Sequence, residues 1–380
     1  MHEGSMFENA RIVLPNQEIH GWLAVSSGKI EAFGEGPAPG AAIDLGGDLL
    51  IPGLVELHTD HLESHLKPRP KVDWPRRAAI IAYDFQLAAS GITTVFDSLR
   101  VGNDADYAPA RHEVPGLMAE IAQARQDRLL RVAHRTHLRC EICAEDVIDG
   151  ARAVMDSHRV DLISLMDHTP GARQFVSIDA WKTYYGGKSG LAAGQLDDLM
   201  ARKHELYAAN YKAHRDALVG LARERGVAIA SHDDATPEHV RESAGDRVVV
   251  AEFPTTVEAA CLSHEAGIAV LMGAPNVVRG GSHSGNVAAE ALAREGVLDI
   301  LSSDYVPASL LMGAFDLARR IKGYGLPRAI CAVSLNPARA AGILDRGAIA
   351  AGQAADLVRV RVAGDYPAVR EVYRDGVRII

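Results

Sequence analysis

The stretch Ile51-Pro52-Gly53-Leu54-Val55-Glu56-Leu57-His58-Thr59-Asp60 divides the chain into two kinds of sequence. Before it, ARIVLPN, GWLAVSSGKIEAFGEG and AIDLGGDLLIPG alternate apolar and polar positions between Gly, Asn and Pro, the pattern of short strands and turns. After it, apolar runs of strand length recur at 54–58, 93–98, 130–141, 161–168, 227–233, 248–254, 269–275 and 299–305. Amphipathic stretches such as VEAACLSHEAG and GNVAAEALAREG separate most of them, each closing on a glycine suited to the residue just past a helix end. Eight strand–helix units over about 250 residues predict an α/β fold, a (β/α)8 TIM-like barrel. A doubly wound sheet is the competing architecture, but no GxGxxG turn follows the first strand.

The C-terminal stretch GAIAAGQAADLVRVRVAGDYPAVREVYRDGVRII resembles the first fifty residues in its patterning. The expected organisation is a small β-sandwich domain built from 1–50 and 345–380 around a barrel spanning 51–344. The connection between the runs at 161–168 and 227–233 is too long for a simple crossover. It predicts a helical insertion at about 170–225, either a cover over the barrel mouth or a surface helix pair.

Lys and Arg number 40 against 49 Asp and Glu, a formal net charge of −9, which argues against a nucleic-acid or anionic-membrane partner. A local basic pocket for a small anion is compatible with that balance. No run of about 18 apolar residues suggests a membrane span. The opening MHEGSMFENARIVLPN has no basic segment followed by an apolar one, so no signal peptide is expected and the default location is the cytoplasm. Cys140 and Cys143 form a CxxC without the second pair a zinc ribbon needs, so ordinary packing is expected of them and of Cys261 and Cys331. A homo-oligomer is left open.

Barrel enzymes carry their chemistry at the C-terminal ends of the strands. Here those ends are ionisable: His58-Thr59-Asp60, Asp167-His168, His232-Asp233-Asp234 and Ser303-Asp304. Residues two apart on a strand share a face, so His58 and Asp60 are able to address one ion. The third strand alternates Arg135, His137, Arg139 and Glu141 on one face, with His134 on the other, between barrel and helix. A single His-x-Asp is weak evidence. Five strand ends bearing imidazole or carboxylate are stronger, because such groups buried without partners cost several kcal/mol. The donor types suit Zn, Mn or Fe, with one or two ions. His2, His20, His112, His158, His204, His214, His239 and His264 fall in helices, loops or termini and are expected to be solvated.

A second set of residues suits phosphate. Lys67, Arg69 and Lys71 sit in the Pro-stiffened loop KPRPKVDWP. After the seventh strand, Arg279, Gly280, Gly281, Ser282 and His283 precede a helix, where glycine N–H groups and a guanidinium are expected to cradle an anion.

The pattern IPGLVELHTDHLE, with the late SSD and NPARAAGILDRGAIAAGQAADLV, resembles the amidohydrolase superfamily. The longer motifs HRTHLRCE, SLMDHTPGARQF, ASHDDAT, AEFPTT, LMGAPNVVRGGSHSGN and DILSSDYVPASLL resemble its ribose-triphosphate diphosphatases of the carbon–phosphorus lyase pathway, from about residue 50 to the C-terminus. The resemblance implies hydrolysis of the 5-triphosphate of a ribose 1-methylphosphonate to the 5-phosphate and pyrophosphate, in phosphonate catabolism. It departs from the wider superfamily in two places: the first strand carries His-x-Asp where His-x-His is usual, and the sixth offers Glu252-Phe253-Pro254 where a histidine is common. The Glu141 position resembles the sugar-phosphate deacetylases, which take a carboxylate ligand from the third strand.

With that resemblance, one or two divalent ions, zinc first and manganese or iron after it, are expected on His58, Asp60, Glu141, His168, His232 and Asp304, with His168 standing in for the missing sixth-strand ligand. Asp304 is the expected base, taking a proton from water acidified towards a pKa of about 7. Arg135, His137, Arg139, Arg279, Ser282, His283, Lys67, Arg69 and Lys71 are expected on the small-molecule substrate; which cluster takes which end is open. The alternatives are a deaminase or deacylase acting on a C–N bond of a phosphorylated substrate, a non-catalytic member of an assembly, and a small-anion binding protein.

Overall fold

The computed structural model describes residues 4–103, 114–174, 178–189, 193–282 and 285–380. Strands β1 (Ser5–Val13), β2 (Glu18–Ser26), β3 (Lys29–Glu35), β4 (Ile43–Asp44) and β5 (Leu49–Pro52) precede the barrel. The barrel strands are β6 (Leu54–Thr59), β7 (Ile92–Val101), β8 (Ala133–Glu141), β9 (Leu162–Met166), β10 (Ala228–His232), β11 (Val250–Glu252), β12 (Ala269–Gly273) and β13 (Ile300–Ser302). Strands β14 (Leu357–Ala363), β15 (Tyr366–Arg374) and β16 (Val377–Arg378) follow. Each apolar run of the sequence overlaps one barrel strand, and the eight pair in parallel in chain order from β6 to β13. A parallel bridge between Thr59 and Asp304 joins the first strand to the end of the last. Parallel strands covered on both faces need apolar residues at every position, which is why the runs are nearly continuous rather than alternating.

The helices over the barrel are α1 (Leu62–Leu66), α2 (Arg76–Ala89), α3 (Val114–Gln126), α4 (Val147–Ser157), α5 (Ile178–Ser189), α6 (Ala193–Arg225), α7 (Pro237–Gly245), α8 (Val257–Glu265), α9 (Ala274–Arg279), α10 (Ala289–Glu295), α11 (Ser309–Arg320), α12 (Leu326–Cys331) and α13 (Leu335–Ala340). Their starts and stops follow the sequence signals. Thr236 and Thr256 accept hydrogen bonds from His239 N–H and Ala259 N–H at the starts of α7 and α8. Gly296 closes α10 in the left-handed conformation, φ 83°.

The two chain ends share one mixed sheet of order β16-β15-β14-β5-β1-β2-β3, with β4 against β1. Phe7 of β1 and Tyr373 of β15 lie three strands apart, about 14 Å along a flat sheet at about 4.8 Å per strand. Their rings are nevertheless 5.2 Å apart, so the sheet folds over its own core of Phe7, Ile12, Leu23, Leu50, Leu357 and Tyr373. Gly53 is the joint between this sheet and the barrel: a Cβ there would lie 2.3 Å from Thr93 Oγ1, and its N–H reaches Asp356 O at 2.8 Å. No other residue fits that approach.

The insertion is a helix pair, α5 and α6, with its own small core of Trp181, Tyr185 and Leu196. His204 and His214 of α6, expected in solvent, instead reach Pro170 O at 2.8 Å and Ile142 O at 2.9 Å and tie the long helix to the loops after β9 and β8. His2 and His112 lie outside the described residues.

His134 occupies the outer face of β8, wedged between α2 and β7. Its Nδ1 lies 2.9 Å from Asp97 and its Nε2 3.3 Å from Asp84, so both ring nitrogens face carboxylates. Burial alone would lower its pKa; Asp97 and Asp84 more than reverse that and raise it to about 9. A folded-state value above the unfolded one of about 6.5 means stabilisation complete below pH 6.5 and lost as pH rises through 9. At about 1.4 kcal/mol per unit the contribution is about 3 kcal/mol. Urea unfolding of the native chain should therefore weaken between pH 6.5 and 9, and a His134→Gln chain should lack that slope; equal slopes would remove His134 as its source.

Candidate active site

The C-terminal ends of the barrel strands bring imidazoles and carboxylates together around His232. His58, His232 and Glu252 place one donor atom each within 4.8 Å of one another, and so do His168, His232 and Asp233. Shared His232 makes these two adjoining groups. Glu252 pairs in register with His232 across β10 and β11, so both project from the same level of the barrel wall. Glu252 Oε2 lies 3.1 Å from His232 Nδ1. Its Oε1 lies 2.9 Å from His58 Nδ1 as an ion pair, and among the described residues neither atom has a hydrogen-bond partner, nor does Asp233 Oδ2. Buried imidazole and carboxylate atoms without hydrogen-bond partners, within groups whose donor atoms lie this close, fit divalent ions. Burial works to raise the Glu252 pKa, but the His58, His137 and His232 rings outweigh it and hold the carboxyl well below the usual range.

Three residues at these strand ends adopt left-handed backbone without being glycine: Asp233 at φ 56°, Phe253 at 54° and Asp304 at 55°. Each turn is held by a cross-strand bond: Asp233 N–H to Glu252 O at 2.9 Å, Phe253 N–H to Leu271 O at 2.8 Å, Asp304 N–H to His58 O at 3.2 Å. Such conformations cost about 1–3 kcal/mol each and persist where the surroundings over-determine them. Gly273 at the end of β12 leaves room for the Asp304 carboxylate, which a Cβ would meet at 3.3 Å. Burial and the neighbouring Asp60 raise the Asp304 pKa to about 6.

Beneath lies a supporting layer. Glu56 accepts the N–H of His58 at 2.7 Å and the N–H of Ser303, fastening β6 to β13 under the site; burial pushes its pKa up to about 8. His137 belongs to this layer and not to the substrate pocket. It is fully buried, its Nδ1 lies 3.0 Å from Leu57 O and 3.1 Å from Ser98 Oγ, its Nε2 meets Ser164 Oγ, and burial drives its pKa down to about 3.

Above these donor groups opens a cavity of about 270 Å³, lined among others by Asp60, Arg100, Arg139, Arg279, Ser282 and Asp304. Arg100 pairs in register with Arg139 across β7 and β8. Arg139 Nη1 lies 3.3 Å from Asp60, and Arg100 Nη1 3.4 Å from Glu141. Glu141 also meets His168 Nδ1 at 2.9 Å, and against the effect of burial His168 and Arg100 hold its carboxyl below the usual range. Glu141 thus stands beside the second donor group, with Oε1 lacking a hydrogen-bond partner. Tyr185 of α5 and Gln174 bring the insertion to the rim, so the helix pair also borders the mouth.

Several expected substrate residues lie elsewhere. Arg135 is at the base of the barrel, 3.1 Å from Asp161, because alternation along β8 assigns a face but not a height. Lys67, Arg69 and Lys71 are exposed in the loop between α1 and α2 and do not line the cavity. The glycine anion cradle is also corrected: Gly280 N–H and Gly281 N–H are taken by Val277 O at 3.1 Å and Asn276 O at 2.8 Å, capping the C-terminus of α9. Of that loop Arg279, Gly281 and Ser282 line the cavity, and His283 lies outside the described residues. Glu252 and Arg100 were missed. Glu252 is legible as a carboxylate at a strand end, at a position where the resemblance implies a histidine; Arg100 is hidden because β7 runs three residues past the apolar run.

Residues 86–380 match a family profile described as an amidohydrolase family. The α-D-ribose 1-methylphosphonate 5-triphosphate diphosphatase of Escherichia coli (strain K12) is 43% identical over 376 residues, 98% of this chain and 100% of that one. A variant of N-acetyl-D-glucosamine-6-phosphate deacetylase from Mycobacterium smegmatis superposes with a TM-score of 0.65 at 18% identity, covering 100% of both chains. The 5-methylcytosine deaminase from Klebsiella pneumoniae does so with a TM-score of 0.66 at 17% identity, covering 99% of this chain and 98% of that one. The chain belongs to the amidohydrolase family.

Proposed function

We propose that the chain hydrolyses α-D-ribose 1-methylphosphonate 5-triphosphate to the 5-phosphate and pyrophosphate, in phosphonate catabolism, the activity named for its 43% identical relative. The observation that carries this reading is the pairing of two ion-binding donor groups with Arg100, Arg139 and Arg279 in one cavity. An amide or amine substrate has no need of three guanidiniums at the reacting centre; a triphosphate does. His58, His232 and Glu252, with His168, His232 and Asp233, would hold one or two divalent ions, zinc being the first choice for such donors; Asp60, Glu141 and Asp304 border them. A bound ion supplies Lewis-acid polarisation of water and of phosphate oxygens.

Asp304 takes a proton from the attacking water. The water oxygen forms a bond to the α-phosphorus as the bond from that phosphorus to the bridging oxygen breaks, and pyrophosphate departs with the electron pair. A carboxyl with a pKa near 6 is ionised at neutral pH yet basic enough to assist. Arg139 and Arg100 spread the charge building on the phosphoryl oxygens, and Arg279 with Ser282 holds the departing end. Four free cysteines and the absence, among the described residues, of any helix able to cross a membrane accord with a cytoplasmic enzyme.

Incubation with this substrate in ¹⁸O-water, followed by phosphorus NMR, should give pyrophosphate and ribose 1-methylphosphonate 5-phosphate in equal amounts, with the label in the 5-phosphate. Label in pyrophosphate would place attack on the β-phosphorus. No phosphate release, with ammonia or acid freed from a phosphorylated amine or amide, would replace this reading by C–N hydrolysis.

A further inference from the structure

A cavity larger than that of the active site lies at the opposite end of the barrel. It encloses about 780 Å³ between the end of α3, the start of β8, the turn before β9 and the C-terminal sheet. Six residues of β8 separate Arg135 at this cavity from Glu141 at the other end, about 20 Å at about 3.3 Å per residue. Its polar lining is lopsided. Arg125, Arg128, Arg135, Arg159, Arg346 and Arg374 face Asp161 and Asp375 only, in a chain whose net charge is −9.

Several of these guanidiniums have capacity left over. Among the described residues Arg125 makes one side-chain hydrogen bond, from Nη2 to the carbonyl of His134 at 2.6 Å, and meets no carboxylate. Arg128 has no side-chain partner among the described residues. Arg135 and Arg159 share a single carboxylate, Asp161, at 3.1 and 2.9 Å. Arg374 comes no nearer than 3.7 Å to Asp375. Only Arg346 is saturated, by Asp345 and Asp356 at 3.1 and 2.9 Å. Met118, Ile121 and Val132, each almost fully buried, form an apolar floor between the arginines.

Like charges gathered round a concave apolar floor repel one another unless an anion sits among them. Guanidiniums approaching from separate elements suit an anion with several planar pairs of acceptor oxygens, which phosphates offer and a single carboxylate does not. The volume is that of a small-molecule site. We propose that this basal cavity binds a compound carrying two or more linked phosphates, inorganic pyrophosphate or an organic diphosphate, independently of the active site. The inference does not depend on the reaction proposed above.

The test is calorimetric titration of the metal-loaded protein with pyrophosphate and, separately, with adenosine diphosphate. The comparison is between the native chain, Arg125→Ala/Arg128→Ala and Arg279→Ala. The first two substitutions fall at an exposed helix end and break no ion pair, so folding and turnover should be retained. The double variant should lose one binding event, with affinity there falling at least tenfold, while Arg279→Ala keeps it. Tighter binding of adenosine diphosphate than of pyrophosphate would assign the apolar floor to the organic part, and the reverse would make the inorganic anion the ligand. If the active site binds neither probe, the native chain shows the basal event alone, and the proposal still stands. Identical isotherms for the native chain and the double variant, with both probes, would overturn it.

Discussion

Asp304→Asn should lower kcat by about a thousandfold while leaving bound metal within error of the native chain, within the range of about 10²–10⁴ that a positioned general base contributes. The asparagine keeps the volume and the left-handed turn, since Asn tolerates positive φ better than other residues do. The backbone bonds on either side involve no carboxylate: Asp304 N–H to His58 O at 3.2 Å, and Thr59 Oγ1 to Asp304 O at 2.9 Å. The donor groups centred on His232 do not include Asp304, so the ions have other ligands to stay on. Only the proton acceptor is removed. Metal analysis beside single-turnover kinetics separates the outcomes: near-native turnover in a metal-replete variant would end the assignment of Asp304 as base, and loss of metal together with turnover would make it chiefly a ligand.

How much of this was written in the sequence depends on whether the information was local. The barrel was legible because each parallel strand is an apolar run and most are closed by an ionisable residue, and both signals sit within a few positions, as at Leu54–Asp60 and Ile300–Asp304. The folding of the terminal sheet over Phe7 and Tyr373 was legible only as a pairing of similar ends. Height within the barrel was not local: the alternation that links Arg135, His137, Arg139 and Glu141 is one face of β8, yet it runs from the basal cavity through the supporting layer to the mouth. Nor was the fate of backbone N–H groups, since Gly280-Gly281 reads equally as an anion cradle and as the helix cap it forms. The candidate ligand at the end of β11 is a carboxylate where a histidine is common; its register with His232 follows once β10 and β11 pair.

The least legible feature carries the second large effect. Arg173, 1% exposed, reaches five groups scattered over seventy residues of chain. Its Nη1 meets Asp234 and approaches His232 O at 3.4 Å, its Nη2 meets Tyr211 Oη at 2.8 Å and Glu242 at 3.2 Å, and its Nε lies 3.9 Å from Asp167. Asp234 is further fixed by Ser231 at 2.6 Å and Ser243 at 2.9 Å, and Arg215 of α6 joins the same network through Glu242 at 3.2 Å and Asp246 at 2.7 Å. One guanidinium therefore binds the loop after β9, the end of β10, the insertion helix α6 and α7, directly behind His232 and His168. Arg173→Met leaves Asp234 and Asp167 buried without their cation, and breaking a buried pair from one side costs about 3–5 kcal/mol. The same loosening should weaken metal binding about 10- to 100-fold, as loss of an outer-shell partner does. Arg173→Lys should recover little, because an ammonium has three donors on one atom and cannot span acceptors on four elements. Asp234→Asn in the Arg173→Met background should restore part of the lost stability, since it removes the orphaned charge. Denaturant unfolding and metal titration of the native chain, Arg173→Met, Asp234→Asn and the double variant give the cycle. A loss under about 1 kcal/mol in Arg173→Met with metal affinity unchanged would show that the β9 and β10 loops hold His168 and His232 in place without it.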